Sequence, residues 1–307
     1  MFIEQGVHSE NKFWKYLVGS VLIIFASFVG QIPLMLAVIA KIFISGKSYP
    51  STNDEIMHFF EPNLTFFLIL ISFVFALAAI FFVVKFLHRQ TFLSVTTSRK
   101  KVDWNRVFFS FGIWAVFSIV STLIFYWLNP TLYVLDFKPI PFAVLFVIAV
   151  ALVPVQTSTE EYVFRGYLMQ GFANLAHNKW FPLLMTSLIF GGMHLFNPEV
   201  SKLGNIIFVY YIGTGLFLGI ITLMDEGMEL ALGFHAANNL IGALLITSDW
   251  SAFQTHSIFK DLSTPQAGYD IILPVVLVYP MLLFIFSSKY KWHNWKEKLT
   301  GNINISQ

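Results

Sequence analysis

Eight stretches of about 20 mostly apolar residues dominate this 307-residue chain. A helix needs about 20 such residues to cross a bilayer. Only helices and closed barrels satisfy their own backbone hydrogen bonds in lipid, so each stretch is expected to be a membrane-spanning helix. The sequence therefore predicts an all-α fold, a polytopic membrane helical bundle with about eight transmembrane helices, at about 16–40, 63–84, 107–128, 141–172, 180–196, 204–224, 229–247 and 270–287.

Composition excludes the water-soluble alternatives. Hydrophobic residues make up 56% of the chain and charged residues 12%, whereas soluble domains carry about 25% charged residues. A chain with so few charges is neither a soluble enzyme, nor a disordered chain, nor a nucleic-acid-binding protein. Cysteine is absent, which excludes disulfides and thiolate metal ligands. Because the loops are too short to fold independently, residues 1–307 are expected to form a single integral membrane domain.

Lys and Arg are unevenly divided between the two predicted membrane faces. Eight spans place both termini on one face, and short cytoplasmic loops are enriched in basic residues. The face with the termini carries Lys12, Lys15, Lys85, Arg89, Arg99, Lys100, Lys101, Arg106, Arg165, Lys179, Lys289, Lys291, Lys296 and Lys298, against Lys41, Lys47, Lys138, Lys202 and Lys260 opposite. The sequence therefore predicts a multi-pass membrane protein with both termini cytoplasmic and a basic loop 88–106 on the lipid surface.

Three charged residues, Glu160, Glu161 and Arg165, fall within the fourth apolar stretch. Ionisable groups inside spans cost about 2.5–3.5 kcal/mol each on insertion scales and mark functional sites. Glu161 and Arg165 are four residues apart, so they share a helix face and are expected to form an ion pair. Glu160 lies about 100° around the helix, without that partner. A carboxylate in this setting suits a general base.

Two further polar clusters lie in apolar stretches, at 190–194 (FGGMH) and 235–239 (HAANN). His235 and Asn239 are four residues apart and point the same way. Glu160 and His194 are equally far from the turn at residue 177, so in an antiparallel hairpin they are expected to lie at one depth. These four groups are therefore predicted to converge in one buried pocket reached from the cytoplasm: Glu160, His194, His235 and Asn239.

The order EExxxR, FxxxH and HxxxN closely resembles the CPBP family of intramembrane proteases (CAAX protease and bacteriocin-processing, or Abi), which is related to the Ras-converting CAAX endoprotease. The resemblance covers about 140–250, the motif-bearing protease core, and the matching residues are Glu160, Glu161, Arg165, Phe190, His194, His235 and Asn239. It implies an intramembrane endopeptidase whose cavity opens to the cytoplasm.

The resemblance also implies a role for each polar residue. Glu160 would activate a water molecule, helped by His194, while His235 and Asn239 would stabilise the tetrahedral oxyanion. Glu161 and Arg165 would support the site structurally. This glutamate-type mechanism needs no cofactor or metal. The alternative is a metalloprotease, since two histidines and a glutamate form a known catalytic zinc set.

Other functions remain open from the sequence. The same residues could form a Glu/His proton relay in a membrane transporter, or the chain could be a non-proteolytic immunity or scaffold protein of the same fold. The expected partners are a protein or peptide substrate, which could itself be membrane-anchored, and the lipid bilayer, with no nucleic acid.

Overall fold

The computed structural model describes residues 1–8, 11–46 and 48–303. Its α-helices are α1 (Phe13–Gly30), α2 (Ile32–Ser45), α3 (Asn53–Met57), α4 (Pro62–Phe82), α5 (Trp104–Leu128), α6 (Pro139–Glu161), α7 (Met169–Ala176), α8 (Trp180–Met193), α9 (Pro198–Leu203), α10 (Ile207–Asp225), α11 (Glu229–Leu245), α12 (Tyr269–Leu273), α13 (Tyr279–Tyr290) and α14 (Trp295–Thr300). Short π-helical segments occupy Val83–Leu87, Tyr162–Leu168 and Pro274–Val278, and 3₁₀ turns occupy Ile3–Gly6, Phe92–Val95 and Gly204–Ile206.

The predicted helical membrane bundle is confirmed. Six helical segments in the described part of the chain are long and apolar enough to cross a membrane: Phe13–Ser45, Pro62–Leu87, Trp104–Leu128, Pro139–Ala176, Pro198–Asp225 and Ile271–Tyr290. The shorter α8 is apolar as well, and α11 occupies the seventh expected span.

The fourth span is one continuous helical rod from α6 to α7, 38 residues long. At 1.5 Å per residue it is about 57 Å long, nearly twice the thickness of a bilayer core. It begins where Pro139 takes the first helical position, which has no need of a backbone N–H. It ends at His177, which adopts a left-handed conformation (φ 52°). The rod therefore carries the polar segment 156–165 within the bundle.

Helix α11 lies at the centre of the bundle, against α5, α6 and α10. Its contact with α5 is a backbone contact, because a Cβ atom on Gly233 would lie 2.1 Å from the carbonyl oxygen of Val107. Glycine at this position lets the two helices approach closely, as small residues do in membrane helix packing. On α8, Gly191 likewise packs against Ile212 of α10, whereas Gly192 faces open space.

Both chain ends pack on one side of the bundle, here called the terminal face: residues 1–8, 88–103, 177–179, 226–228 and 291–303. The backbone N–H of Phe2 donates to Glu226, and that of Ile303 donates to the carbonyl of His177. Arg99 forms ion pairs with Asp225 and Glu229, each at 3.0 Å. These contacts tie the loop after the second span to the turn between α10 and α11.

The opposite side, here called the distal face (129–138, 194–206 and 246–268), contains a small sheet that the sequence did not predict. Strands β1 (Tyr133–Leu135), β2 (Ile246–Ser248) and β3 (Phe259–Asp261) have the order β1-β3-β2, with β1 antiparallel and β2 parallel to β3. Three-residue strands are too short to give a period-two pattern. Lys47, counted above among the basic residues of this side, lies outside the described residues.

Candidate active site

Glu160 and Glu161 are the last two residues of α6. The side chain of Glu161 is fully buried, while that of Glu160 is 19% exposed. Immediately after them the helix continues as the π-helical segment Tyr162–Leu168. Single π turns within α-helices occur frequently at functional sites. The two adjacent carboxylates thus differ in their access to the space around the helix.

Arg165 anchors Glu161, as the spacing predicts. Its Nη1 donates to Oε1 of Glu161 at 3.0 Å, and its Nη2 donates to the carbonyl oxygen of Gly215 at 3.1 Å. The guanidinium also lies 4.5 Å from the ring centroid of Phe190. Breaking a buried ion pair costs about 3–5 kcal/mol, because the remaining charge is left unpaired. Arg165 therefore links three helices around Glu161: it contacts Glu161 on α6, Phe190 on α8 and Gly215 on α10.

His235 lies between the two carboxylates. Its Nδ1 is 2.7 Å from Oε1 of Glu161, and its Nε2 is 3.5 Å from Oε2 of Glu160. A carboxylate ion only accepts, so Nδ1 carries the proton and donates to Glu161. This hydrogen bond fixes the orientation of the ring and presents Nε2 to Glu160.

Asn239 and Gln156 complete the surroundings of Glu160. Asn239 lies one turn after His235 on α11, and its Nδ2 donates to Oε1 of Gln156 at 3.0 Å. Gln156 lies one turn before Glu160 on α6, and its Nε2 donates to Oε1 of Glu160 at 2.6 Å. Glu160, which the sequence leaves without a partner, is thus held on one oxygen by Gln156 and faces His235 with the other.

His194 is the first residue after α8. Its backbone N–H bonds to the carbonyl of Gly191, which leaves the carbonyl of Phe190 available, and Nδ1 of His194 lies 2.8 Å from that oxygen. A carbonyl only accepts, so Nδ1 is the donor and Nε2 is free to accept a proton. The ring stacks on Tyr211, with centroids 4.3 Å apart.

The structure does not join His194 by a hydrogen bond or ion pair to the two glutamates or to His235 in the described part of the chain. Phe190 borders both histidines, with its ring centroid 4.9 Å from that of His194 and 6.0 Å from that of His235. The equal spacing of Glu160 and His194 from residue 177 does not predict this position of the Phe190 ring.

The donor set does not fit the zinc alternative in this arrangement. Zinc ligands must converge to about 2.0–2.2 Å from one point. Among the described residues no three His, Asp or Glu side chains are grouped as a metal site requires. Both ring nitrogens of His235 face carboxylates, and Nδ1 of His194 is bonded to its own helix.

A cavity of about 240 Å³ adjoins this cluster on the side of Asn238. Its walls come from the halves of α5 and α11 nearer the distal face and from the distal ends of α10 and the last span, and they include Trp114, Ser121, Asn238 and Gly242. The sequence predicts a pocket reached from the face with the termini. This cavity lies in the distal half of the bundle, and Glu160, His194, His235 and Asn239 are not among the residues that line it. The pocket reached from the terminal face therefore stays a prediction.

Comparison with known proteins covers the segment that carries these residues. Residues 138–241 match the family described as type II CAAX prenyl endopeptidase Rce1-like, and all seven motif residues lie within that range. These residues form an Rce1-like domain. The chain is also 27% identical over 248 residues, 80% of its length, to the uncharacterized protein YyaK of Bacillus subtilis (strain 168), of which 82% is covered. No solved structure matches the chain.

The predicted resemblance to this endopeptidase family is therefore confirmed over residues 138–241. Sequence reasoning missed Gln156 and Asn238, which contact Glu160 and Asn239 directly. Both carry a signal in retrospect, since each is a carboxamide in an otherwise apolar stretch, next to a motif or one turn from it.

Proposed function

We propose that the Rce1-like domain hydrolyses peptide bonds within the membrane, and that Glu160 activates the attacking water. The observation that carries the proposal is the environment of this carboxylate. One oxygen is held by Gln156, the other faces His235, and the side chain is partly exposed while Glu161 and Arg165 are fully buried. A positioned base of this kind is what hydrolysis without a nucleophilic side chain requires.

The reaction proceeds through a tetrahedral intermediate. Glu160 takes a proton from water as the oxygen attacks the substrate carbonyl carbon. The carbonyl oxygen becomes an oxyanion, the C–N bond then breaks, and the proton on Glu160 passes to the departing amine. The products are a carboxylic acid, which keeps the second proton of the water until it ionises in solution, and an amine, and Glu160 returns to its ionised form.

Asn239 and His235 are the proposed oxyanion donors. One N–H of Asn239 is used by Gln156, which leaves the second available. His235 is oriented by Glu161, so that Nε2, when protonated, can donate to the same oxygen. Donors fixed in place before the reaction stabilise developing charge because they need no reorganisation.

His194 is the proposed second group that orients the water. Its Nδ1 bond to Phe190 leaves Nε2 as a proton acceptor. Catalytic hydrogen bonds are often long in the absence of substrate and tighten when it binds. In this proposal, substrate entry brings the water between Nε2 of His194 and Glu160, and no metal takes part.

The proposed substrate class is a membrane-anchored protein or peptide, and the family description points to prenylated CAAX sequences. The test uses purified protein in liposomes with a farnesylated CAAX peptide and the same peptide without the lipid. Products are identified by mass spectrometry. Glu160→Gln and His194→Ala should each lower turnover by on the order of 10³-fold or more, while the control Glu4→Gln, at a partly exposed position of the terminal face, retains it.

Near wild-type turnover by a folded Glu160→Gln protein would disprove the role of this residue. Equal cleavage of the two peptides would support peptidase activity but would show that the substrate needs no prenyl group. A proteomic comparison of peptide termini, in cells producing wild-type or Glu160→Gln protein, then identifies the natural cleavage sites.

A further inference from the structure

A continuous chain of side-chain hydrogen bonds runs from α5 to the carboxylate of Glu160. Trp114 Nε1 donates to Asn238 Oδ1 at 3.1 Å, and Asn238 Nδ2 donates to Asn239 Oδ1 at 3.0 Å. Asn239 Nδ2 donates to Gln156 Oε1 at 3.0 Å, and Gln156 Nε2 donates to Glu160 Oε1 at 2.6 Å. The four bonds cross from α5 through α11 to α6.

The chemistry of the two ends fixes the direction of every bond in this chain. The indole of Trp114 is a donor only, and an ionised carboxylate is an acceptor only. Each of the three carboxamides between them must therefore accept on the Trp114 side and donate on the Glu160 side. Rotating any one carboxamide by 180° would place oxygen against oxygen and N–H against N–H, and unsatisfied buried polar groups cost about 1–3 kcal/mol each.

We propose that Trp114, Asn238 and Gln156 are positioning residues that set the orientation of Asn239 and Glu160 for peptide hydrolysis. The chain turns the NH₂ group of Asn239 toward Glu160, where it can donate to an oxyanion. It also holds Oε1 of Glu160 as an acceptor, so that Oε2 is the oxygen left to take a proton. The role assigned to these three residues rests on the function proposed above.

The chain also reaches the cavity, because Trp114 and Asn238 form part of its wall. Both are largely shielded, Trp114 being 6% exposed. The positioning of Glu160 is therefore anchored at the same wall that borders the empty space beside the site. A group entering that space contacts the first members of the chain rather than Glu160 itself.

The charged and titratable groups that face Glu160 are few. Among the described residues they are Glu161 and Arg165 on its own helical rod and His235 from α11, and the proposed function adds His194, after α8, across a water. None of them is altered by substitution of Gln156 or Trp114. A change in the protonation of Glu160 in such variants is therefore attributable to the loss of its hydrogen bond.

The test measures the protonation of Glu160 directly. Carbodiimide couples an amine to protonated carboxyl groups, so the extent of labelling at Glu160 is followed against pH by mass spectrometry of the full-length protein in detergent. Gln156→Leu removes a hydrogen bond to the ionised form and should shift the labelling midpoint upward by about one pH unit. Gln156→Glu adds a like charge and should shift it further upward.

Trp114→Phe removes the donor that anchors the far end, and we expect a smaller upward shift. Where a cleaved peptide is available, Gln156→Leu and Trp114→Phe should lower kcat by on the order of 10-fold to 100-fold with little change in KM, as misplacement of reacting groups does. The double variant should lose no more than Gln156→Leu alone, because both substitutions interrupt one chain.

Matched controls separate this effect from general destabilisation. Trp104→Phe makes the same change on α5 at an exposed position, and Gln170→Leu removes a buried glutamine from the same helical rod. Both should leave the labelling midpoint at the wild-type pH. Unchanged midpoints in Gln156→Leu and Gln156→Glu would overturn the positioning role. Wild-type turnover by Glu160→Gln would overturn the proposed function. If the labelling midpoint of Glu160 were still shifted in Gln156→Leu, the hydrogen-bond chain would nonetheless position Glu160.

Discussion

At the scale of single residues, the site contains two adjacent glutamates that are used differently. Glu161 is fully buried against Arg165 and His235. The side chain of Glu160 is partly exposed and accepts a hydrogen bond from neutral Gln156. The ion pair with Arg165 gives Glu161 a structural role. Glu160 has no such partner and is available to exchange a proton. This division follows from the helical rotation of about 100° per residue.

Asn239→Ala tests the oxyanion role. Loss of one donor to an oxyanion lowers kcat by on the order of 10²–10³-fold. We expect a fall of this size in peptide turnover, with KM within a few-fold of wild type, in steady-state assays in liposomes. A raised KM with unchanged kcat would instead assign Asn239 to substrate binding.

Metal analysis distinguishes the two mechanisms that the same residues allow. Because Glu160, His194 and His235 do not converge, we expect the purified protein to contain well under one equivalent of zinc and to keep its activity after prolonged chelation. Elemental analysis and a chelation time course measure this. Stoichiometric zinc, with activity lost on chelation and restored by zinc, would make the three residues ligands and disprove the metal-free mechanism.

At the scale of helices, glycines and a buried histidine determine how the elements meet. Gly233 allows backbone contact between α11 and α5, and so sets the position of His235 and Asn239, two and six residues further along α11. At the terminal face, His88 donates through Nδ1 to Asn11 and lies 2.9 Å from the hydroxyl of Tyr167. It joins the N-terminal segment to the second and fourth spans.

Gly233→Ala should destabilise the bundle. The added Cβ would lie 2.1 Å from the carbonyl oxygen of Val107, which is backbone and cannot rotate away. Overpacking of this kind costs about 1–3 kcal/mol. Thermal unfolding in detergent, followed by tryptophan fluorescence, should show a lower Tm. Gly112→Ala on α5 is the control, since its Cβ meets nothing within 4 Å, and an equal Tm for the two variants would contradict the prediction.

His88 makes stability depend on pH. Burial, with smaller effects of Lys15 and His8, lowers its pKa to about 4, whereas an unfolded histidine has a pKa of about 6.5. The unfolded chain therefore binds the proton first, and the stabilisation is fully present above about pH 6.5 and lost as the pH falls toward 4. The difference corresponds to on the order of 3 kcal/mol.

The measurement compares the Tm of wild-type and His88→Gln protein between pH 7.5 and 4.5. We expect the Tm of the wild type to fall more steeply, because glutamine does not titrate. His293→Gln, at an exposed position of the tail, should follow the wild type. Parallel curves for wild type and His88→Gln would show that His88 does not control this dependence.

At the scale of the whole molecule, the two membrane faces differ in construction. The terminal face carries residues 1–8 and 291–303 and the ion pairs of Arg99, whereas the distal face carries the small sheet and the nearer end of the cavity. Which face is cytoplasmic stays a prediction from the distribution of Lys and Arg.

Single cysteines in this cysteine-free chain test both orientation and access. Lys100→Cys reports the terminal face, Thr264→Cys the distal face, and Ser121→Cys the cavity. With a membrane-impermeant maleimide on intact cells, we expect labelling of Thr264→Cys and Ser121→Cys, and labelling of Lys100→Cys only after lysis. Labelling of Lys100→Cys on intact cells would invert the topology. Labelling of Ser121→Cys together with Lys100→Cys, and not with Thr264→Cys, would move the cavity mouth to the terminal face.

The sequence by itself determined the membrane bundle, the Glu161–Arg165 pair and the resemblance of residues 138–241 to the Rce1-like family, because these depend on local properties: apolar length, helical spacing and motif order. Only the tertiary structure decided that Gln156 joins Glu160 to Asn239, that Phe190 stands beside His194, and that the cavity lies in the distal half. These features depend on the rotation and packing of separate helices. Helical spacing fixes which residues share a face of one helix, but it does not fix which faces of different helices meet.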